Sequence, residues 1–288
     1  MSQNLIDSKL IKKLERLSLN SNLVLDKGFM GGRKSKSKGS SVEFSDFREY
    51  TEGDDFRKID WNAYARFEKL FIKLFTEERE ASVNIFIDTT KSMDYGNPKK
   101  SFIASQIAAV IGYVSILNMD RVSIYTTKES RLDYIENING KNLFRKLVNY
   151  IETLSFKETK DMFELINKRP FKKGISVIIS DMFTDNFETA IKYLSYMNQN
   201  IIVIHTLSKE ELKPKYVGDI RFIDSETKEG KDVTITLETL VAYEKTLDSF
   251  LSNIKETCTK YGCFYSLIEN DDIEEIIFNN LINTGILR

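Results

Sequence analysis

VNIFIDTTKSM, residues 83–93, begins as an apolar run and turns polar at a single residue, Asp88. A short run of β-branched and aromatic side chains bounded in this way fits a strand buried on both faces, the kind that parallel sheets use. Two further runs repeat the pattern, Ile175–Asp181 (ISVIISD) and Ile201–Thr206 (IIVIHT). Arg121–Thr126 (RVSIYT) and Phe264–Ile268 (FYSLI) read as two more strands. Helical patterns lie between them over Lys99–Leu117, Lys141–Leu154, Met162–Lys168 and Phe187–Met197, and Leu237–Tyr261 and Asp272–Thr284 are long enough for helices. Strand alternating with helix predicts a doubly wound α/β fold, a mainly parallel sheet flanked by helices.

Two regions depart from that rhythm. GDIRFIDSETKEGKDVTIT, residues 218–236, holds two alternating strands around a polar turn and predicts a β-hairpin inserted at about 216–237. The first 80 residues form the other exception. Leu10, Leu14 and Leu17 suggest an amphipathic helix, Lys27–Ser41 is a Gly/Lys/Ser stretch, and Glu43–Glu80 is charged and aromatic with strand-like patches such as Leu70–Phe75. The expected division is therefore a β-rich N-terminal module with a leading helix over 1–80 and an α/β domain over 81–288.

Composition narrows the class. Among 288 residues, 42 basic and 43 acidic side chains leave a net charge of −1, which argues against a bulk-basic nucleic-acid binder. Apolar residues at 41% rule out general disorder. Two cysteines, Cys258 and Cys263, cannot build a disulfide scaffold, and with no His or Cys cluster around them they do not suggest zinc. The N-terminus lacks the apolar core of a signal peptide, so the expected location is cytoplasmic. Ser101–Met119 carries no charge and is close to the ~20 residues of a membrane span. Its Gln106, serines and Asn118, and its place between two strands, favour a helix buried on a sheet, with no membrane segment.

Ligands of parallel α/β sheets gather beyond the carboxyl ends of the strands, where Asp88-Thr89-Thr90-Lys91-Ser92 falls. Asp88, Thr90 and Ser92 offer oxygens at alternate positions, the donor type that hard cations such as Mg²⁺ select. Asp181, at another strand end, supplies a second carboxylate that would repel Asp88 without a cation nearby. The plainer reading is that Asp88 caps a turn into the next helix.

Asp88-x-Thr90-x-Ser92 with Met93, followed by a strand ending in Ser180-Asp181, resembles the metal-ion-dependent adhesion site of von Willebrand factor A domains. Gly39-Ser40-Ser41-Val42-Glu43-Phe44, Arg48-Glu49-Tyr50, Gly53-Asp54-Asp55-x-Arg57-x-Ile59-Asp60-Trp61 and Ala65-Arg66 resemble the signature of the domain of unknown function 58 family, whose members are von Willebrand factor A-like. Asp224-Ser225-Glu226-Thr227 is similar to the family's hairpin. The resemblance implies a von Willebrand factor A-like fold and a metal site of Asp88, Thr90, Ser92, a loop threonine best matched by Thr159, and Asp181, holding Mg²⁺ with Mn²⁺ as a substitute. Thr90 replaces the usual serine, keeping the oxygen and adding a methyl. The resemblance further implies a non-enzymatic adaptor that works beside a MoxR-type AAA+ ATPase and a client protein, with no nucleic acid.

The rival is an enzyme. Asp88-Thr89-Thr90 with Asp181 and Asp185 mimics a haloacid-dehalogenase-like phosphohydrolase with Asp88 as nucleophile, but Thr90 stands where that chemistry needs a second Asp as acid–base. Gly28–Ser35 only brushes against a phosphate loop, since Arg33 separates the glycine from the lysine. The basic stretch Lys27, Arg33, Lys34, Lys36 and Lys38 reads as a solvated loop. Arg57, Asp60 and Arg66 suit either a partner surface or an internal ion-pair network. Trp61 is expected in a core, and His205, on an apolar strand, in a structural role.

Overall fold

The computed structural model describes residues 5–20, 42–77, 80–214, 218–223, 230–269 and 271–288. The basic stretch, the phosphate-loop-like segment, Gly39–Ser41 and Asp224–Thr227 lie outside the described residues. The chain divides into two compact units, 1–27 with 81–288, and 28–80.

Six strands form the sheet of the larger unit: β3 (Ser82–Ile87), β4 (Arg121–Lys128), β5 (Arg131–Ile138), β6 (Gly174–Ser180), β7 (Gln199–Leu207) and β10 (Phe264–Glu269). Their spatial order is β10-β7-β6-β3-β4-β5, with every pairing parallel except β4 with β5. The chain runs outward from β3 to one edge, then returns to β6 and runs to the other. Its direction therefore reverses between β3 and β6, and their carboxyl ends flank the crevice where such folds bind ligands. This is the doubly wound, mainly parallel α/β architecture expected from the sequence.

Period-two alternation distributes β3 between two cores. Val83, Ile85 and Ile87 face a cluster built on the Lys100–Leu117 helix, while Phe86 joins the opposite cluster with Ile178, Phe187, Ile191 and Ile254. The apolar Lys100–Leu117 helix is long enough to cross a bilayer and is instead almost wholly buried inside this unit, which accounts for its composition without lipid.

One strand was not foreseen. β5 (RLDYIENI) is a half-exposed antiparallel edge whose polar residues hide the strand signal. It is joined to β4 by Glu129-Ser130, both at positive φ (50° and 60°), the backbone of a tight hairpin turn usually announced by Asn or Gly.

The leading helix corrects the expected division. Ser8–Leu14, capped by Asp7, buries Leu10 and Leu14 in the core around Lys100–Leu117. Gln106 donates to the Leu5 carbonyl at 3.0 Å, and Leu19 bridges to Leu287. This helix belongs to the α/β unit rather than to the module before it. The inserted hairpin is present as β8 (Gly218–Ile223) antiparallel to β9 (Gly230–Ile235).

In the smaller unit, β1 (Val42–Glu49) pairs antiparallel with β2 (Phe71–Glu77), and a 3₁₀ turn (Phe56–Lys58) and a helix (Trp61–Phe67) lie between them. Asp55 and Asp60 cap these two elements through their side chains. Trp61, expected in a core, is 63% exposed, and Phe56 and Phe67 are as open. Trp61 instead meets Tyr64 edge-on at 6.2 Å, and Phe67 meets Phe71 at 6.3 Å.

Candidate functional site

β3 delivers Asp88 to the crevice. Its backbone N–H bonds to the Ile179 carbonyl, continuing the β3–β6 ladder one residue past the strand. Thr89 is pinned by donating to the Thr127 carbonyl at 2.8 Å. The loop then turns back so that the Thr90 amide and hydroxyl both donate to Asp88 Oδ1, at 2.9 and 2.7 Å. Thr90 Oγ1 lies 3.1 Å from Ser92 Oγ, which sits in the short 3₁₀ turn anchored by buried Met93. The capping reading and the ligand reading thus describe the same atoms: Asp88 organises its own loop, and three oxygens converge.

The end of β6 closes the other side. Ser180 Oγ donates to Asp88 Oδ2 at 2.6 Å and accepts the Met182 amide at 2.9 Å. Asp181 is 1% exposed and faces a cation no sequence argument named, the Lys100 ammonium, 2.8 Å from its Oδ2. Lys100 has no exposed surface and also reaches Glu211 Oε1 at 2.6 Å. Glu211 is itself tied down, accepting the Ser208 amide through Oε2 in a reciprocal cap. One ammonium therefore joins the start of the Lys100–Leu117 helix to the carboxyl ends of β6 and β7. Phe183 covers it, its ring centre 5.4 Å from Nζ, and stacks on Phe250.

Electrostatics follow from burial. Dehydration, with the Asp181 charge nearby, pushes Asp88 up to about 6 against the pull of its Ser180 and Thr90 hydrogen bonds. His205 is driven down to about 4, chiefly by burial, and is neutral at pH 7. Its Nε2 meets the Asp181 carbonyl, which can only accept, so that nitrogen carries the proton and Nδ1 accepts from Tyr265 Oη. His205 holds the β6 terminus in place, the structural role expected of it.

The loop that carries Thr159 pairs with the first loop. Glu158 bridges Thr90, with the Lys91 amide on the Glu158 carbonyl and the Glu158 amide on Thr89, and exposed Thr159 follows directly. Asp161, which the sequence did not flag, fastens this loop to the one after β6 by accepting from Thr184 Oγ1 and Asn186 Nδ2. Asp185 is exposed on that later loop. Both Asp88 oxygens are already engaged by hydroxyl donors, a poor preparation for a nucleophile.

Among the described residues no three His, Cys, Asp or Glu side chains gather as a ready metal cluster, so any ion would depend on the hydroxyls. Ligand oxygens around an octahedral Mg²⁺, at ~2.1 Å from the ion, are spaced by ~3 Å. The Asp88, Thr90 and Ser92 oxygens belong to the hard-donor class, and their hydrogen bonds at 2.7 and 3.1 Å keep them within the span such a shell requires. Asp181 and Glu211 share the single Lys100 ammonium, and the charge of Asp181 also acts on Asp88. The first loop fits Mg²⁺, while Asp181 is shared with Lys100.

The other candidates lie in the smaller unit. Asp60 is 8% exposed and caps the Trp61–Phe67 helix through Asn62 and Ala63, whereas the Arg57 and Arg66 side chains are exposed. Arg48 pairs with Asp54 at 2.8 Å. Asp60 is thus architectural, and the two arginines are available at the surface.

The chain is 22% identical over 230 residues to the uncharacterised proteins Mb1516 of Mycobacterium bovis and Rv1480 of Mycobacterium tuberculosis, covering 77% of this chain and 72% of each. Among solved structures, the conserved hypothetical protein BatB from Bacteroides thetaiotaomicron superposes with a TM-score of 0.46 at 14% identity, over 71% of this chain and 98% of that one. The SpRpn10 VWA domain gives 0.38 at 12%, over 69% and 94%. The family model described as Protein of unknown function DUF58 matches residues 46–248, well over half the chain, and the protein belongs to that family.

Proposed function

We propose that this protein is a non-enzymatic adaptor that binds a partner at the carboxyl edge of its α/β sheet through a Mg²⁺ held by Asp88, Thr90 and Ser92. Family membership and the doubly wound fold support a protein-interaction role at the coarse level. The observation that carries the finer reading is the convergence of those three oxygens at the point where the strand order reverses, beside Asp181. Asp88, Thr90 and Ser92 would hold the ion, and the chemistry it would supply is attraction of a partner carboxylate, giving binding without bond cleavage. Ser180 and the Thr90 amide orient Asp88 for that task, and the Glu158–Thr159 loop forms the rim.

By the family resemblance, the partner is a MoxR-type AAA+ ATPase, with a client protein presented to it. Mn²⁺ serves in place of Mg²⁺ in this reading. The deciding experiment is an affinity pull-down with the full chain as bait in Mg²⁺ and in EDTA, with Asp88→Ala as control. An AAA+ ATPase retained with Mg²⁺ and lost in both controls supports the proposal; retention in EDTA removes the metal from it.

A further inference from the structure

Lys100 is the one buried ammonium at this edge of the sheet among the described residues, and the adaptor reading gives it no task. It spans from Asp181 Oδ2 to Glu211 Oε1, with no exposed surface and Phe183 above it. A cation buried at such cost usually serves as the counter-charge of something specific. Here it neutralises one of the carboxylates that a divalent ion at Asp88, Thr90 and Ser92 would draw on. Lys100 stands at the first turn of an otherwise apolar helix, where a positive charge opposes the helix dipole, so its position is not explained by the helix itself.

We infer that Lys100 is a tethered competitor of the divalent ion, setting the affinity of the site by holding Asp181, and that Glu211 relieves the competition by drawing the ammonium away. This rests on the metal reading above and adds the residue that tunes it. In the absence of metal, Lys100 holds Asp181 and offsets its repulsion with Asp88. With a divalent ion held there, the charge of Asp181 would serve the ion, and Glu211, tied to Ser208, would keep the ammonium. Metal uptake is thereby weakened in the isolated chain, and a partner carboxylate that completes the coordination recovers the difference.

The test is Mn²⁺ binding to the full chain, followed by calorimetry and by the EPR signal of free Mn²⁺ at 0.5 M NaCl, where screening shortens long-range electrostatics to about 4 Å. Lys100→Met is expected to bind Mn²⁺ roughly tenfold more tightly than wild type, because a unit charge in contact with a ligand is removed. Lys99→Met removes the same charge from an exposed pair with Asp94 and is expected to leave the affinity unchanged. Glu211→Gln is expected to weaken binding, because the ammonium then rests on Asp181 alone. Equal or weaker binding by Lys100→Met, or a matching gain in Lys99→Met, overturns the inference and leaves the metal site standing. Should Lys100→Met fail to fold, Glu211→Gln decides, since unchanged or tighter binding there overturns it equally. If wild type and every variant leave Mn²⁺ free, the inference and the metal reading fall together.

Discussion

Asp88 and Asp181 carry the same charge and end neighbouring strands, yet the structure gives them different attachments. Asp88 is held by hydroxyls and an amide, Asp181 by an ammonium. Asp88→Ala therefore removes the organiser of its loop and, in the proposed reading, a metal ligand. A Mg²⁺ or Mn²⁺ concentration of 100 times Kd should stabilise wild type by about 2.7 kcal/mol and the variant not at all, read as the shift in melting temperature. Asp181→Asn is a different case. Two bare carboxylates would repel, and removing one would be harmless or stabilising; with Lys100 in contact, the same change breaks a buried pair. Such losses run to roughly 3–5 kcal/mol, and the retained Glu211 contact places this one toward the lower end. Urea unfolding without metal measures it, and wild-type stability in Asp181→Asn would mean that the pair contributes nothing.

Among the elements, the approach of β6 to β3 is the most demanding. Gly174 begins β6 where a Cβ would lie 2.1 Å from the Ser82 carbonyl oxygen, an atom of neighbouring backbone that cannot rotate aside. Gly174→Ala should force the strand ends apart and cost at least the ~1–3 kcal/mol typical of overpacking, with lower urea midpoint and unchanged slope. Because β3 and β6 carry Asp88 and Asp181 at their far ends, the metal-induced stabilisation should fall as well. The Lys100–Leu117 helix makes the complementary point. Its apolar surface is spent on the sheet, on the Ser8–Leu14 helix and on the Phe144–Glu152 helix, so it anchors Lys100 rigidly over the crevice.

For the whole molecule, the two units offer two kinds of surface. The α/β unit presents the oxygen site at its sheet edge, and the smaller unit presents exposed Phe56, Trp61 and Phe67 with Arg57 and Arg66 among them. Solvent-exposed charges of this kind affect specificity and encounter rate more than folding. Arg57→Glu and Arg66→Glu should each change stability by no more than about 0.5 kcal/mol and weaken association with the proposed ATPase partner. Calorimetry of the variants alone and the same pull-down check the two halves. A large loss of stability would show that these arginines hold the unit together.

The sequence by itself determined the alternation of strand and helix, the two acids at strand ends, the hydroxyl spacing of the first loop and the family, because each is written in neighbouring residues. Val83–Asp88 and Ile175–Asp181 announce buried parallel strands by continuous apolar runs, and Asp88-x-Thr90-x-Ser92 is legible in five positions. Gly53–Arg66 announces the family in the same way, although its aromatic residues proved to face outward. Only the tertiary structure decided that the leading helix joins the α/β core, that β5 closes the sheet behind a turn without glycine, and that Lys100 sits between Asp181 and Glu211. The second of two adjacent lysines, Lys99 and Lys100, ahead of nineteen uncharged residues was the available sign of Lys100. Its partners lie 81 and 111 positions along the chain, and nothing local to any of the three specifies the pair. Burial of an ammonium is settled by which carboxylates the packed sheet brings within reach, and that is a property of strand order rather than of residue order.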